Sequence, residues 1–134
     1  MKFSRIISIT AFMMLVVSLA PMTRSAQDSA SHANVSNPVK PTPESQAHAK
    51  EIYNIDCLMC HGARGDGKTD LARDMQLDLK DWTDPTTLGS KTDGQLFDFI
   101  RNGNSQMPPE SLGRAPDDVV WNLVIYIRSF SKSQ

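Results

Sequence analysis

The sequence predicts an all-α domain over residues 44–134, from three observations. Three segments carry apolar side chains at helical spacing between recognisable caps. No stretch alternates cleanly enough to read as a strand, and the segment from Gln76 to Ser90 is dominated by turn residues and Asp, so long loops join the helices.

The first helix is expected from about Glu44 to Cys57, with Pro43 ahead of it and Ala49, Ile52 and Tyr53 spaced as one apolar stripe. The second starts at Thr92, whose hydroxyl caps the end while Gln95 reaches back in a capping box. Leu96, Phe99 and Ile100 form its expected apolar face, and Gly103 stands where a left-handed C-terminal cap is wanted. The third opens with Pro116-Asp117-Asp118, where proline suits the first turn and two carboxylates oppose the positive end of the helix dipole. It continues to about Phe130. Val120, Leu123, Val124, Ile127 and Phe130 share one side, and Trp121, Ile125 and Tyr126 widen the stripe enough for burial between neighbours. A short helix is also read around Lys68 to Met75.

Upstream, residues 1–26 have the layout of a secretory signal peptide: Lys2 and Arg5, an apolar run from Ile6 to Leu19, then small and polar residues from Thr23 to Ala26. Several partial matches to the small-residue rule leave the cleavage point open, and an uncleaved leader would act as a membrane anchor. The apolar run is short of the ~20 residues that a spanning helix needs. Either way the domain is delivered to a periplasmic or otherwise extracytoplasmic space. Residues 27–43, rich in Ser, Ala, Asn and Pro without apolar period, read as a disordered, solvated linker.

Removing Lys2, Arg5 and Arg24 with the leader leaves eleven bases against fifteen acids. A mildly acidic domain argues against nucleic acid as a partner and suits a basic docking patch on another protein.

The chemistry concentrates in Cys57-Leu58-Met59-Cys60-His61. Two thiols three positions apart at the end of a helix can both reach the vinyl groups of one porphyrin edge, and the following imidazole then falls under the iron. These are the chain's two cysteines, so none remains for a structural disulfide. A redox-active thiol pair would place its first cysteine at a helix N-terminus, whereas this motif follows a helix. A structural zinc site would want four ligands, and beyond the motif the mature chain offers only His32 in the linker and His48 on the first helix as further histidines.

The chain resembles a class I c-type cytochrome over roughly Glu44 to Phe130. The resemblance rests on Tyr53 four residues before Cys57, on Cys57-x-x-Cys60-His61-Gly62, on Gly65 and Gly67, on Asn102-Gly103…Met107-Pro108, and on the aromatic final helix. It implies a cytochrome c-like fold, with three main helices around one covalently bound haem c and long loops. It also implies that the first and last helices cross, with Ala49 and Tyr53 meeting either Trp121 or Tyr126. Ala49 stands where the family commonly has glycine.

The resemblance implies single-electron transfer between protein partners, a dehydrogenase donor and an oxidase or reductase acceptor, rather than conversion of a substrate. Membrane association is then expected only through a retained leader or a larger complex. Methionine is the usual sixth iron ligand. Met59 is locked beside the proximal histidine and cannot reach the opposite haem face. Met75 reads chiefly as flexible packing against the porphyrin. Met107, in a loop stiffened by Pro108 and Pro109, matches the family's distal-ligand position.

Arg64 and Lys68 are candidates to pair a haem propionate, against the plainer reading of solvated turn charges. Trp82 is a candidate to bond a propionate or to cover the haem edge. The family often carries a proline soon after the motif that orients the proximal imidazole, but here none occurs between His61 and Pro85. The carbonyl for the His61 ring proton is therefore sought in Met75 to Leu79.

Overall fold

The structure is a computed structural model, which describes residues 31–132. The expected leader and the first residues of the expected linker lie outside the described residues. Among the described residues six α-helices follow one another: α1 (Pro43–Asp56), α2 (Leu58–His61), α3 (Asp70–Asp74), α4 (Pro85–Gly89), α5 (Asp93–Asn102) and α6 (Asp117–Ser129), followed by a 3-10 turn at Phe130–Lys132. Among the described residues there is no strand, only a bridge between Asn104 and Met107. The domain is all-α, as its sequence predicts.

Cap chemistry sets the ends of the long helices. Thr42 caps α1 and exchanges bonds with Ser45 in a capping box, while Thr92 and Gln95 do the same at α5. Gly103 ends α5 at φ +72°, with its N–H on the carbonyl of Phe99.

α1 and α6 cross to make the centre of the core, which α5 completes. Ala49 and Tyr53 are fully buried on α1, and α6 buries Val119, Val120, Trp121, Leu123, Val124 and Ile127. Tyr53 meets Tyr126 edge-on at 5.4 Å and Phe130 at 5.3 Å, so of the two aromatics anticipated at the crossing it is Tyr126 that faces Tyr53. Trp121 instead stacks on Phe97 at 4.3 Å. One polar residue sits in this core: Asn122 accepts bonds from Ser45 (2.8 Å) and Gln46 (2.9 Å) of α1 and donates to the carbonyl of Asp118.

Two expectations need correction. On α5 the buried ring is Phe97, while Phe99, placed on the apolar face from spacing, is 37% exposed beneath the ammonium of Lys91. Leu96 and Ile100 are compatible with either phenylalanine as a third apolar position, and the aromatic face of α6 decides between them.

Second, residues 31–42, though mostly exposed, do not hang free but run as a strap across α5 and α6. The His32 amide donates to Asp98 at 2.8 Å, and His32 Nδ1 lies 2.8 Å from the other carboxylate oxygen. The imidazole packs on Phe97 (4.5 Å) and against Trp121 (5.9 Å). Thr92 donates to the Ala33 carbonyl, Asn37 donates to the Trp121 carbonyl, and Val39 packs on the core. Gly94 lies flush against the His32 carbonyl, where no side chain would fit.

Candidate functional site

The motif is built by ending one helix and winding a single further turn. The Cys57 amide closes α1 on the Tyr53 carbonyl at 2.9 Å, and the Cys57 carbonyl then accepts from Cys60 (3.2 Å) and His61 (2.9 Å). Gly62 stops this turn at φ +81°, a conformation that favours glycine.

A helix as short as α2 leaves its carbonyls without helical partners, and those of Cys60 and His61 find partners in the following loop. Thr69 donates its hydroxyl to the Cys60 carbonyl (3.2 Å), Gly67 its amide to the His61 carbonyl (2.9 Å), and Gly65 its amide to the Gly62 carbonyl (3.1 Å). Tyr53 adds a buried hydroxyl bond to Gly62 at 2.6 Å. The turn bearing both cysteines and the histidine is thus fixed to α1 and to the following loop.

Cys57 and Cys60 are half-buried free thiols. Burial, with the carboxylates of Asp56 and Glu110 adding to it, pushes the Cys57 thiol up to about 12. Although Cys57 stands at the N-cap of α2, a redox-active pair needs the opposite shift, so the electrostatics disfavour the thiol-disulfide reading. Among the described residues, no three His, Cys, Asp or Glu side chains converge as a metal cluster.

The His61 ring stacks on Trp82 at 4.1 Å with 20° between planes. Burial lowers its affinity for a proton and so favours the neutral imidazole that metal ligation requires. Its Nδ1 is buried with no hydrogen-bond partner, so the carbonyl sought in Met75 to Leu79 does not reach it. Trp82 is held there by its amide bond to the Gly65 carbonyl (2.8 Å), and a β-carbon on Gly65 would press into both Trp82 and Phe130.

Lys68 pairs with Asp81 at 3.1 Å, and Arg64 lies 3.9 Å from Asp66. Both cations considered for a propionate thus have carboxylate neighbours on their own loop.

Met107 lies on the far side of α5 in sequence, half-buried in the loop to α6, and exchanges two backbone bonds with Asn104 (3.0 and 2.7 Å). Met59 is 63% exposed and Met75 49% exposed.

These residues fit a haem. Two thiols and a neutral imidazole on one closed turn are the donor set that a covalently held porphyrin uses. The loop after the motif also underpacks itself: Leu71, Leu77 and Leu79 are only half-buried, and Ala72 is its one buried apolar side chain. An apolar macrocycle supplies what such a loop lacks.

Sequence reasoning did not single out the two guanidinium braces, Arg101 and Arg128, or the His32–Asp98 contact. All three join residues distant in sequence. Gly94 was the available signal, since a glycine inside a well-capped helix marks the close approach of another backbone.

A comparison with curated proteins finds no match. Residues 44–127 match the family model described as cytochrome c oxidase, cbb3-type, subunit III. The match spans every helix from α1 through most of α6, and the chain belongs to this family, its domain being of the class I c-type cytochrome kind whose work is haem-based electron transfer.

Proposed function

We propose that the chain is an exported single-electron carrier in which Cys57 and Cys60 hold one haem c through thioether bonds and His61 and Met107 are its axial iron ligands. The observation that carries this reading is the closed turn on which two thiols stand with a half-buried imidazole whose proton affinity is lowered by burial. When bound, the haem supplies a one-electron iron couple.

The protein's own residues do the rest. Tyr53, Thr69 and the amides of Gly65 and Gly67 fix the turn. Trp82 restricts rotation of the His61 ring by lying against its face. Pro108 and Pro109 limit the excursions of Met107. With a haem bound, His61 and Met107 so held would keep oxygen off the iron and limit rearrangement between oxidation states. The partners are redox proteins, a dehydrogenase as donor and an oxidase or reductase as acceptor.

The family's description favours a second reading, an electron-transfer subunit of a larger membrane-associated oxidase or dehydrogenase. No helix among the described residues is long and apolar enough to cross a membrane, so such an association would use the leader or a partner. Membrane fractionation with N-terminal sequencing of the mature chain separates the two.

The primary test is a pyridine haemochrome spectrum with a haem-stained denaturing gel, on protein matured by a haem-ligation system. Stain that stays with the chain supports thioether attachment, and stain lost on denaturation overturns it. Met107→Ala should abolish the methionine-sulfur-to-ferric-iron charge-transfer band. A surviving band assigns the sixth ligand elsewhere.

A further inference from the structure

Met107 sits in a loop held at two ends. At the near end Gly103, at φ +72°, packs against the backbone of Met107, Pro108 and Pro109, and Ser105 at φ +49° completes the reversal that pairs Asn104 with Met107. At the far end the hold is a side chain. Arg101, in the last turn of α5, donates to the Glu110 carbonyl (2.7 Å), the Ala115 carbonyl (2.8 Å) and the Asp117 carboxylate (2.8 Å). A backbone bond from Glu110 to the Ile100 carbonyl (2.9 Å) runs alongside.

At 13% exposure, Arg101 has the least exposed cationic side chain of the described ion pairs. Its guanidinium lies 5.7 Å from the centre of the Phe97 ring. Its Nε is buried without a partner, so the group's position follows from the two carbonyls and the carboxylate rather than from its own full satisfaction. Between the two holds, Asn104, Ser105, Gln106, Pro108 and Pro109 are exposed, and core packing does little to restrain the arm.

We infer that Arg101 is a positioning residue for Met107: its guanidinium fork pins Glu110 and Ala115 to the end of α5 and so keeps the loop that carries Met107 closed. The inference rests on the reading of Met107 as an iron ligand given above. Arg128 provides an internal control. It uses the same fork on Asp93 (2.6 Å) and on the carbonyls of Leu88 (3.0 Å) and Lys91 (2.7 Å), bracing a connection that bears no candidate ligand.

The test uses the full haem-loaded chain as wild type, Arg101→Gln, Arg101→Lys, Arg128→Gln and Met107→Ala. Three readouts are compared: loss of the charge-transfer band against global unfolding in urea, the rate at which imidazole binds ferric iron, and exchange of the Met107 and Glu110 amides. Arg101→Gln should lose the band at lower urea than it loses its helices, bind imidazole about tenfold faster or more, and exchange the Glu110 amide faster by a similar factor. Arg101→Lys, which keeps the charge without the fork, should fall between. Arg128→Gln should shift global unfolding alone.

If Arg101→Gln loses band and helices together, with an imidazole rate within about twofold of wild type, the residue is merely structural and the inference fails. Should that variant not mature, Arg101→Lys carries the test, and wild-type rates in it overturn the inference. A wild type without the band, or a Met107→Ala variant with it, sinks the ligand assignment instead. The amide-exchange comparison still decides whether Arg101 holds the loop.

Discussion

The phenol of Tyr53 donates a 2.6 Å hydrogen bond to the carbonyl oxygen of Gly62, joining the centre of the α1–α6 crossing to the residue that follows His61. Both groups are buried, so neither can exchange the other for water. Tyr53→Phe should therefore destabilise the haem-loaded protein by about 1–3 kcal/mol in urea unfolding, through an unpaired buried carbonyl.

The same bond predicts a pH dependence. Burial is the main force raising the Tyr53 pKa well beyond the ordinary tyrosine range. A group raised in the folded state contributes fully below its unfolded value of about 10, and the contribution is lost as pH rises beyond that. The stability gap between wild type and Tyr53→Phe should hold below pH ~10 and narrow above it. A gap that widens in alkali would contradict the burial argument.

Gly94→Ala isolates the strap. Alanine gains about 0.5–1 kcal/mol of helix propensity in α5, but its methyl group occupies the place of the His32 carbonyl. Net destabilisation of about 1–3 kcal/mol is expected, with residues 31–42 newly open to limited proteolysis. Asp98→Asn weakens the His32 contacts while leaving room for the strap, so it should lower stability with less cleavage.

Asn122 sets the register of α1 on α6. Asn122→Leu removes the side-chain acceptor shared by Ser45 and Gln46, but the Thr42 and Asn122 carbonyls remain to them, and both are only half-buried, so water can replace part of what they lose. A loss of about 1–2 kcal/mol in thermal or urea unfolding is expected.

At the acid end, Asp81 accepts the hydroxyl and amide of Thr83 and the ammonium of Lys68. The Thr83 hydroxyl contributes most, and together these hold its carboxyl at about 2. A lowered pKa gives stability that is present above the ordinary value of about 4 and lost as pH falls through the folded one. Asp81→Asn should flatten the stability profile between those limits, while added salt changes it little because hydrogen bonds dominate. A strongly salt-sensitive profile would assign the effect to Lys68 instead.

Local chemistry was the legible part of this chain. The Thr92–Gln95 box, the Gly103 stop and the start of the last helix each depend on residues within a few positions, and all three appear where the sequence places them. α4 escaped notice because Asp84 and Pro85 read equally as a turn and as a helix start. Spacing favours Phe99 over Phe97 on α5 because periodicity on a ten-residue helix admits two neighbouring faces, and Trp121 chooses between them from across the core. The turn bearing Cys57, Cys60 and His61 is visible in the sequence as a contiguous motif. The Thr69 bond to the Cys60 carbonyl and the stacking of Trp82 on His61 are not, because both depend on how the loop returns.

The strap also changes how far the domain can roam. Residues 31–42, fully extended, would add about 40 Å to a leash. Folded against α5 and α6, they add almost none, and the pivot moves from Thr42 back to the His32–Asp98 contact. If the expected leader were retained in a membrane, the turn bearing Cys57, Cys60 and His61 would be confined to a thinner shell above the lipid, with one face of the molecule consistently turned toward its point of attachment.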